Sequence, residues 1–137
     1  MPLPRALRAA LVLCLSAAPA LAGMDGASFE ARTTGKTLTF TEMGSTEPYG
    51  AEQYLPGRRV IWSFLEGDCV EGRWYENQGE ICFVYENDLM GVQCWNFEDA
   101  PNGQLVARFL GVPETAPLIS VRESPEPLIC PGPRVGA

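Results

Sequence analysis

The chain contains no histidine and a single lysine, Lys36. Without histidine there is no Ser-His-Asp or Cys-His catalysis, and no imidazole to move protons near neutral pH. With so few cations there is no basic patch of the kind that nucleic acid or an anionic membrane face requires. No Cys-x-x-Cys pair is present, which argues against a thiol oxidoreductase and against the usual zinc spacings. A glycine-rich phosphate loop and a dinucleotide fingerprint are also missing. Beyond the first residues no apolar run approaches the roughly 20 residues that a membrane-spanning helix needs.

The one long apolar stretch is at the start. Arg5 and Arg8 give a basic n-region, residues 9–18 an apolar core, and Ala20-Leu21-Ala22 an Ala-x-Ala site. This reads as a secretory leader over residues 1–22 cleaved after Ala22, with Ala18-Pro19-Ala20 a weaker cleavage site. Cys14 follows Leu13 rather than a small residue and has apolar sequence after it, so it reads as part of the leader and not as a lipid anchor. The leader removes two of the ten basic residues and none of the 17 acidic ones, leaving 8 − 17 = −9 on the exported chain. The expectation is a soluble periplasmic or secreted protein with no membrane span.

Four cysteines remain after the leader: Cys69, Cys82, Cys94 and Cys130. An even set in a short exported chain implies disulfides and an oxidising compartment. Four cysteines allow three pairings, and spacing alone does not choose among them. A turn centred on Asp88 would set Cys82 opposite Cys94 on neighbouring strands, leaving Cys69 for Cys130. Gaps of 13, 12 and 36 positions make a metal site a poor alternative, and no cofactor is expected.

The pattern along the chain is that of an all-β domain. Residues 25–34 predict a short helix with Asp25 or Ser28 as N-cap, Phe29 as apolar anchor and Gly35 beyond its end. Period-two alternation follows at residues 36–41, with Leu38 and Phe40 on one face. Residues 44–50 read as a loop. Strands are then predicted at 51–55, 58–65, 69–76, 80–85, 92–97, 104–110 and 118–122, separated by turn residues such as Pro56-Gly57, Asn77-Gln78-Gly79 and Pro101-Asn102-Gly103. Strands recurring about every 10 to 12 residues predict an antiparallel meander, a small lipocalin-like barrel or sandwich of about seven or eight strands. The expected division is a domain over residues 23–112 and a proline-rich, extended tail over 113–137, tethered through Cys130.

Candidate binding residues are aromatic and basic. Trp62, Trp74 and Trp95 fall on three predicted strands, where they either fill the interior or line a ligand mouth. Arg58 and Arg59 place two guanidinium groups at one strand start, suited to a carboxylate or phosphate, or to neutralising local glutamates. Glu66, Asp68, Glu76, Glu80, Glu86 and Asp88 lie at or near turns, where solvation explains them without invoking acid–base chemistry. A calcium site at Glu86-Asn87-Asp88 lacks the full liganding loop of a known motif.

Phe29-Glu30, Thr34-Gly35-Lys36-Thr37-Leu38, Tyr54-Leu55-Pro56-Gly57-Arg58-Arg59, Cys69-x-x-Gly72-x-Trp74, Ile81-Cys82-Phe83-x-Tyr85 and Cys94-Trp95 together resemble a family of small exported bacterial proteins without an assigned function. The resemblance spans roughly residues 26–110 and brings no catalytic residues. It implies that the cysteine and tryptophan frame is structural. Similarity to periplasmic lysozyme inhibitors is one of barrel architecture alone.

These features lead to a non-enzymatic periplasmic binding or interaction module, its partner a small ligand or a basic protein. Two alternatives are an acidic inhibitor of a basic envelope enzyme such as lysozyme, and a carboxylate hydrolase of cell-wall sugars with two carboxyls about 5–9.5 Å apart.

Overall fold

Antiparallel hairpins joined in sequence order can bury one face only by stacking on a second layer or by curling until the first strand meets the last. A computed structural model of the protein shows the second solution. It describes residue 1 and residues 23–87, 90–112 and 114–131. The leader beyond Met1, Asp88 with the calcium candidate it completes, and the end of the tail lie outside the described residues.

Helix α1 (Gly26–Thr33) precedes eight strands: β1 (Thr37–Glu42), β2 (Pro48–Leu55), β3 (Arg59–Ser63), β4 (Cys69–Asn77), β5 (Glu80–Tyr85), β6 (Gln93–Asp99), β7 (Leu105–Phe109) and β8 (Leu118–Ser124). Each strand pairs antiparallel with the next, and β8 pairs with β1 to close the barrel. Eight strands enclose an interior just wide enough for side chains or one small ligand. The ladders of β1 shift register at Thr39/Phe40 against β8 and at Phe40/Thr41 against β2. Such irregularities bend a strand and tighten its twist, which closure requires.

Strand bounds follow local chemistry. β3 lies between Arg58 (φ 58°) and Leu65 (φ 72°), both left-handed, so it is shorter than the 58–65 expected from sequence. β2 is longer than expected, because Pro48 is tolerated as the first residue of a strand. β8 lies beyond residue 112, the boundary drawn from sequence, so the barrel needs part of the proline-rich segment. Only the stretch after Ser124 behaves as a tail.

The two ends of the barrel differ. At one end the turns at 56–58 and 78–79 are tight and α1 lies across the opening. Asp25 caps the helix by accepting from Ser28 N at 2.7 Å, and Glu76 accepts from the N–H of Gly26. Phe29, fully buried, enters the barrel. Its ring meets Phe97, Trp74, Tyr54 and Phe83 at centroid distances of 4.4, 5.0, 5.6 and 6.3 Å, within the range of favourable aromatic pairs. Polar ties fix the helix to the rim. Arg58 pairs with Glu30 at 3.2 Å, and Arg32 bonds Asp99 at 3.0 Å and the Gly103 carbonyl at 3.1 Å.

The chain after Ser124 returns along the outside. Thr37 Oγ1 donates to the Glu126 carbonyl at 2.7 Å, Leu128 N donates to Gln53 Oε1 at 3.1 Å, and Cys130 is bonded to Cys69. This strap buries outward residues that would otherwise face water, including Thr37, Ala51 and Ser63. It explains why β1 and β2 are buried on both faces rather than in alternation. The second disulfide, Cys82–Cys94, is a cross-strand pair on a ladder of only three rungs. Both bonds match the pairing that a turn near Asp88 favours. With sequence separations of 61 and 12, they stabilise by about 4 and about 3 kcal/mol through the entropy they remove from the unfolded chain. No helix among the described residues is long and apolar enough to cross a membrane.

Because four aromatic rings converge on Phe29, Phe29→Ala is expected to cost about 3–5 kcal/mol. Urea unfolding of the oxidised protein measures this, and a loss under 1 kcal/mol would show that the plug does not hold the barrel.

Candidate functional site

The far end of the barrel is built differently. Of its connections, residues 86–92 and 110–117 are longer than any turn beside the helix, while 43–47 and 64–68 match the longest of those, 100–104. Each carries an exposed apolar side chain: Met43, Phe64, Val92 and Val112. Apolar groups on every loop around one opening are not needed for folding, since they add nothing to the core.

Behind this rim is a cavity of about 60 Å³. A single water needs roughly 10–15 Å³ of such space. Its walls are mainly aromatic. Phe40, Tyr54, Phe83, Tyr85 and Phe97 form the buried part, and Tyr49, Trp62, Phe64, Met90, Gln93 and Trp95 the outer part. Tyr49 and Phe64 are 39% and 49% exposed, so the cavity reaches solvent between them. Tyr49, Trp62 and Phe64 contact one another with centroids 5.3–6.0 Å apart. The Trp62 ring lies over Gly50, where a Cβ would come within 2.3 Å of it. Glycine at 50 is therefore required by that indole.

One carboxyl lines the cavity among the described residues. Glu52 is 2% exposed. Its side chain points inward because Glu52 shares a face of β2 with Gly50 and Tyr54. Tyr85 Oη donates to it, lying 3.0 Å from Oε1 and 3.1 Å from Oε2. Burial disfavours the charged form and pushes its pKa up to about 8, against the smaller opposing effect of the Tyr85 hydrogen bond. Glu52 is thus mostly a neutral acid at pH 7. Burial, then the nearby Glu52, raises the Tyr54 and Tyr85 phenols well above 10. Trp62, also a residue of the cavity lining, carries a second unusual polar group. Trp62 Nε1 is buried with no acceptor among the described residues. Trp62 stands directly opposite Glu52 in the β2–β3 ladder, so both side chains project inward from one cross-strand pair.

The sequence candidates separate into two groups. Trp62 and Trp95 line the cavity, whereas Trp74 is 3% exposed and belongs to the packing around Phe29. Arg58 stacks over the Trp74 ring at 4.5 Å while pairing with Glu30, so it clamps the plugged end. Arg59, at the start of β3, is exposed on the outer face opposite Arg73. Neither arginine reaches the cavity, since strand parity and the left-handed turn at Arg58 send them elsewhere. The four cysteines are all spent in disulfides. Glu80 lies near Cys82 and Cys94, but those sulfurs are bonded to each other and offer no thiolate for a metal. Glu52 was not singled out from sequence. The signal available was parity: if Tyr54 faces inward, so does Glu52.

Comparison with protein-family models, curated proteins and solved structures finds no match to this chain.

The raised Glu52 pKa has a definite sign. The folded state holds a proton that the unfolded chain releases near pH 4.5. Stability from this group is therefore full below pH 4.5, falls as pH rises towards about 8, and levels off above. The loss is several kcal/mol at about 1.4 kcal/mol per pH unit. Glu52→Gln is expected to remove this slope while keeping the shape of the site. Thermal unfolding from pH 5 to 9 checks it, and a parallel fall in both proteins would assign the slope to other groups.

Proposed function

We propose that the protein is a non-enzymatic binding module of the bacterial envelope that takes a small, largely apolar ligand into the open end of its barrel. The observation that carries this reading is the cavity itself. One end of the barrel is filled by Phe29, and the other keeps an aromatic-lined space ringed by exposed apolar side chains. Sites for small molecules are typically concave, mostly apolar and supplied with a few fixed polar groups. Glu52, Tyr85 and Trp62 are such groups here.

The absence of histidine and the single carboxyl in the cavity lining favour binding over hydrolysis, because a two-carboxylate mechanism has no second member there among the described residues. The leader, the two disulfides and the resemblance to small exported bacterial proteins support placement in the periplasm.

Protein purified oxidised from its native envelope, then extracted with organic solvent, is expected to release a small molecule detectable by mass spectrometry. Trp62→Ala should release far less of it, whereas Arg59→Ala on the outer face should match the wild type. Equal recovery from both variants would move the ligand away from the cavity, and recovery of nothing from the wild type would count against a binding role.

A further inference from the structure

The polar groups of the cavity have a chemistry that narrows its ligand, given the reading of that cavity as a binding site. Glu52 and Trp62 face each other across the β2–β3 ladder. An indole N–H can only donate, and that of Trp62 is buried with no acceptor among the described residues. A neutral carboxyl carries one O–H donor, and the Tyr85 hydroxyl already donates to the Glu52 oxygens. The site therefore holds two donors and no cation: lysine and arginine are absent from its lining among the described residues. A buried unpaired donor is costly, so an occupant that accepts from both is favoured over one that accepts from neither.

We infer that Glu52 and Trp62 form a two-donor clamp for a single acceptor oxygen, and that the ligand is a neutral, mostly apolar molecule bearing a carbonyl. Anions are disfavoured by the missing counter-charge and by the acid itself. An organic cation would gain the aromatic faces and an ionised Glu52, but it would leave the Trp62 N–H unpaired. The two ligand classes differ in the sign of their pH dependence. A carbonyl ligand needs Glu52 protonated, so its affinity falls as pH rises through the Glu52 pKa of about 8. A cation needs Glu52 ionised, so its affinity rises. The titratable neighbours of Glu52 are Tyr85 on β5 and Tyr54 on β2, both raised well above 10 and silent over this range. The inward residues of the flanking strands, Phe40 on β1 and Trp62 on β3, carry no charge, and Arg32 on α1 acts on Tyr54 from the plugged end.

Three probes of similar size test the clamp: acetophenone, its hydrocarbon counterpart ethylbenzene, and the permanent cation phenyltrimethylammonium. Each is titrated into the oxidised protein at pH 6.5 and 9.0, following the indole N–H signals by NMR, with the Trp62 signal identified from Trp62→Phe. Acetophenone is expected to bind about tenfold more tightly than ethylbenzene at pH 6.5, to shift the Trp62 N–H, and to weaken several-fold by pH 9.0. Glu52→Gln, which keeps a donor without a titrating proton, should bind acetophenone equally at both pH values. Equal binding of acetophenone and ethylbenzene would overturn the clamp yet leave the cavity as a binding site. Tighter binding of phenyltrimethylammonium, growing with pH, would replace the carbonyl with a cation. If no probe moves any cavity signal, the clamp and the binding reading fall together.

Discussion

The contact on which the rest of the structure depends is the seating of Phe29 among Tyr54, Trp74, Phe83 and Phe97. An eight-stranded barrel has two open ends and too little interior volume to leave both unfilled. A single phenyl ring, delivered by a helix of eight residues, seals one of them. A helix this short is not stable alone and depends on tertiary packing. The capping carboxylate of Asp25, the reach of Glu76 and the ion pairs of Glu30 and Arg32 all hold that ring in place. Because the core is concentrated at this end, the opposite end is free of a packing role. Its loops can be longer, its rim apolar and its interior incompletely filled.

Covalent support is placed where hydrogen bonding is thin. The β5–β6 ladder has three rungs, and the Cys82–Cys94 bond reinforces the middle one. The same pair limits the spread of the strands on either side of the loop that carries Met90 above the cavity. The β7–β8 seam has two rungs and no disulfide, but Ser120 Oγ accepts from Leu105 N at 2.8 Å and supplements it. Glu52 depends on this rigidity. A carboxyl without a cation stays buried only if water is kept away and its oxygens are partly satisfied. The Tyr85 hydroxyl on β5 does that from across the barrel.

Much of the fold was legible in the sequence because it depends on local signals. Leu38 and Phe40 alternate, Asn102-Gly103 turns the chain, and Asp25 precedes a helix with Phe29 on its apolar side. A turn near Asp88 favoured Cys82–Cys94 among the three possible pairings, and that bond is present. The candidate site was less legible. Starting β2 at Ala51 removed Gly50 and Tyr49 from the strand, but Glu52 and Tyr54 both stayed within it, so parity still placed them on one face. A lone glutamate among turn-prone acids resembles any solvated side chain until its strand is placed. Arg58 and Arg59 were adjacent in sequence but part ways in space, because Arg58 adopts a left-handed conformation and turns onto Trp74. The tryptophans divide for a similar reason. Distance from the plug, which no local pattern encodes, decides whether an inward indole is core or cavity wall.

The strap that ends at Cys130 also bears on the closing seam of the barrel. It departs from β8 beside the helix and must cross the outer faces of β1, β2 and β3 before its sulfur meets Cys69. In the folded protein that route starts at the seam where the last strand meets the first. The Cys69–Cys130 bond therefore fastens the closing side of the barrel from outside. Reducing it would release the strap while leaving β1 and β8 their own ladder to hold the barrel shut.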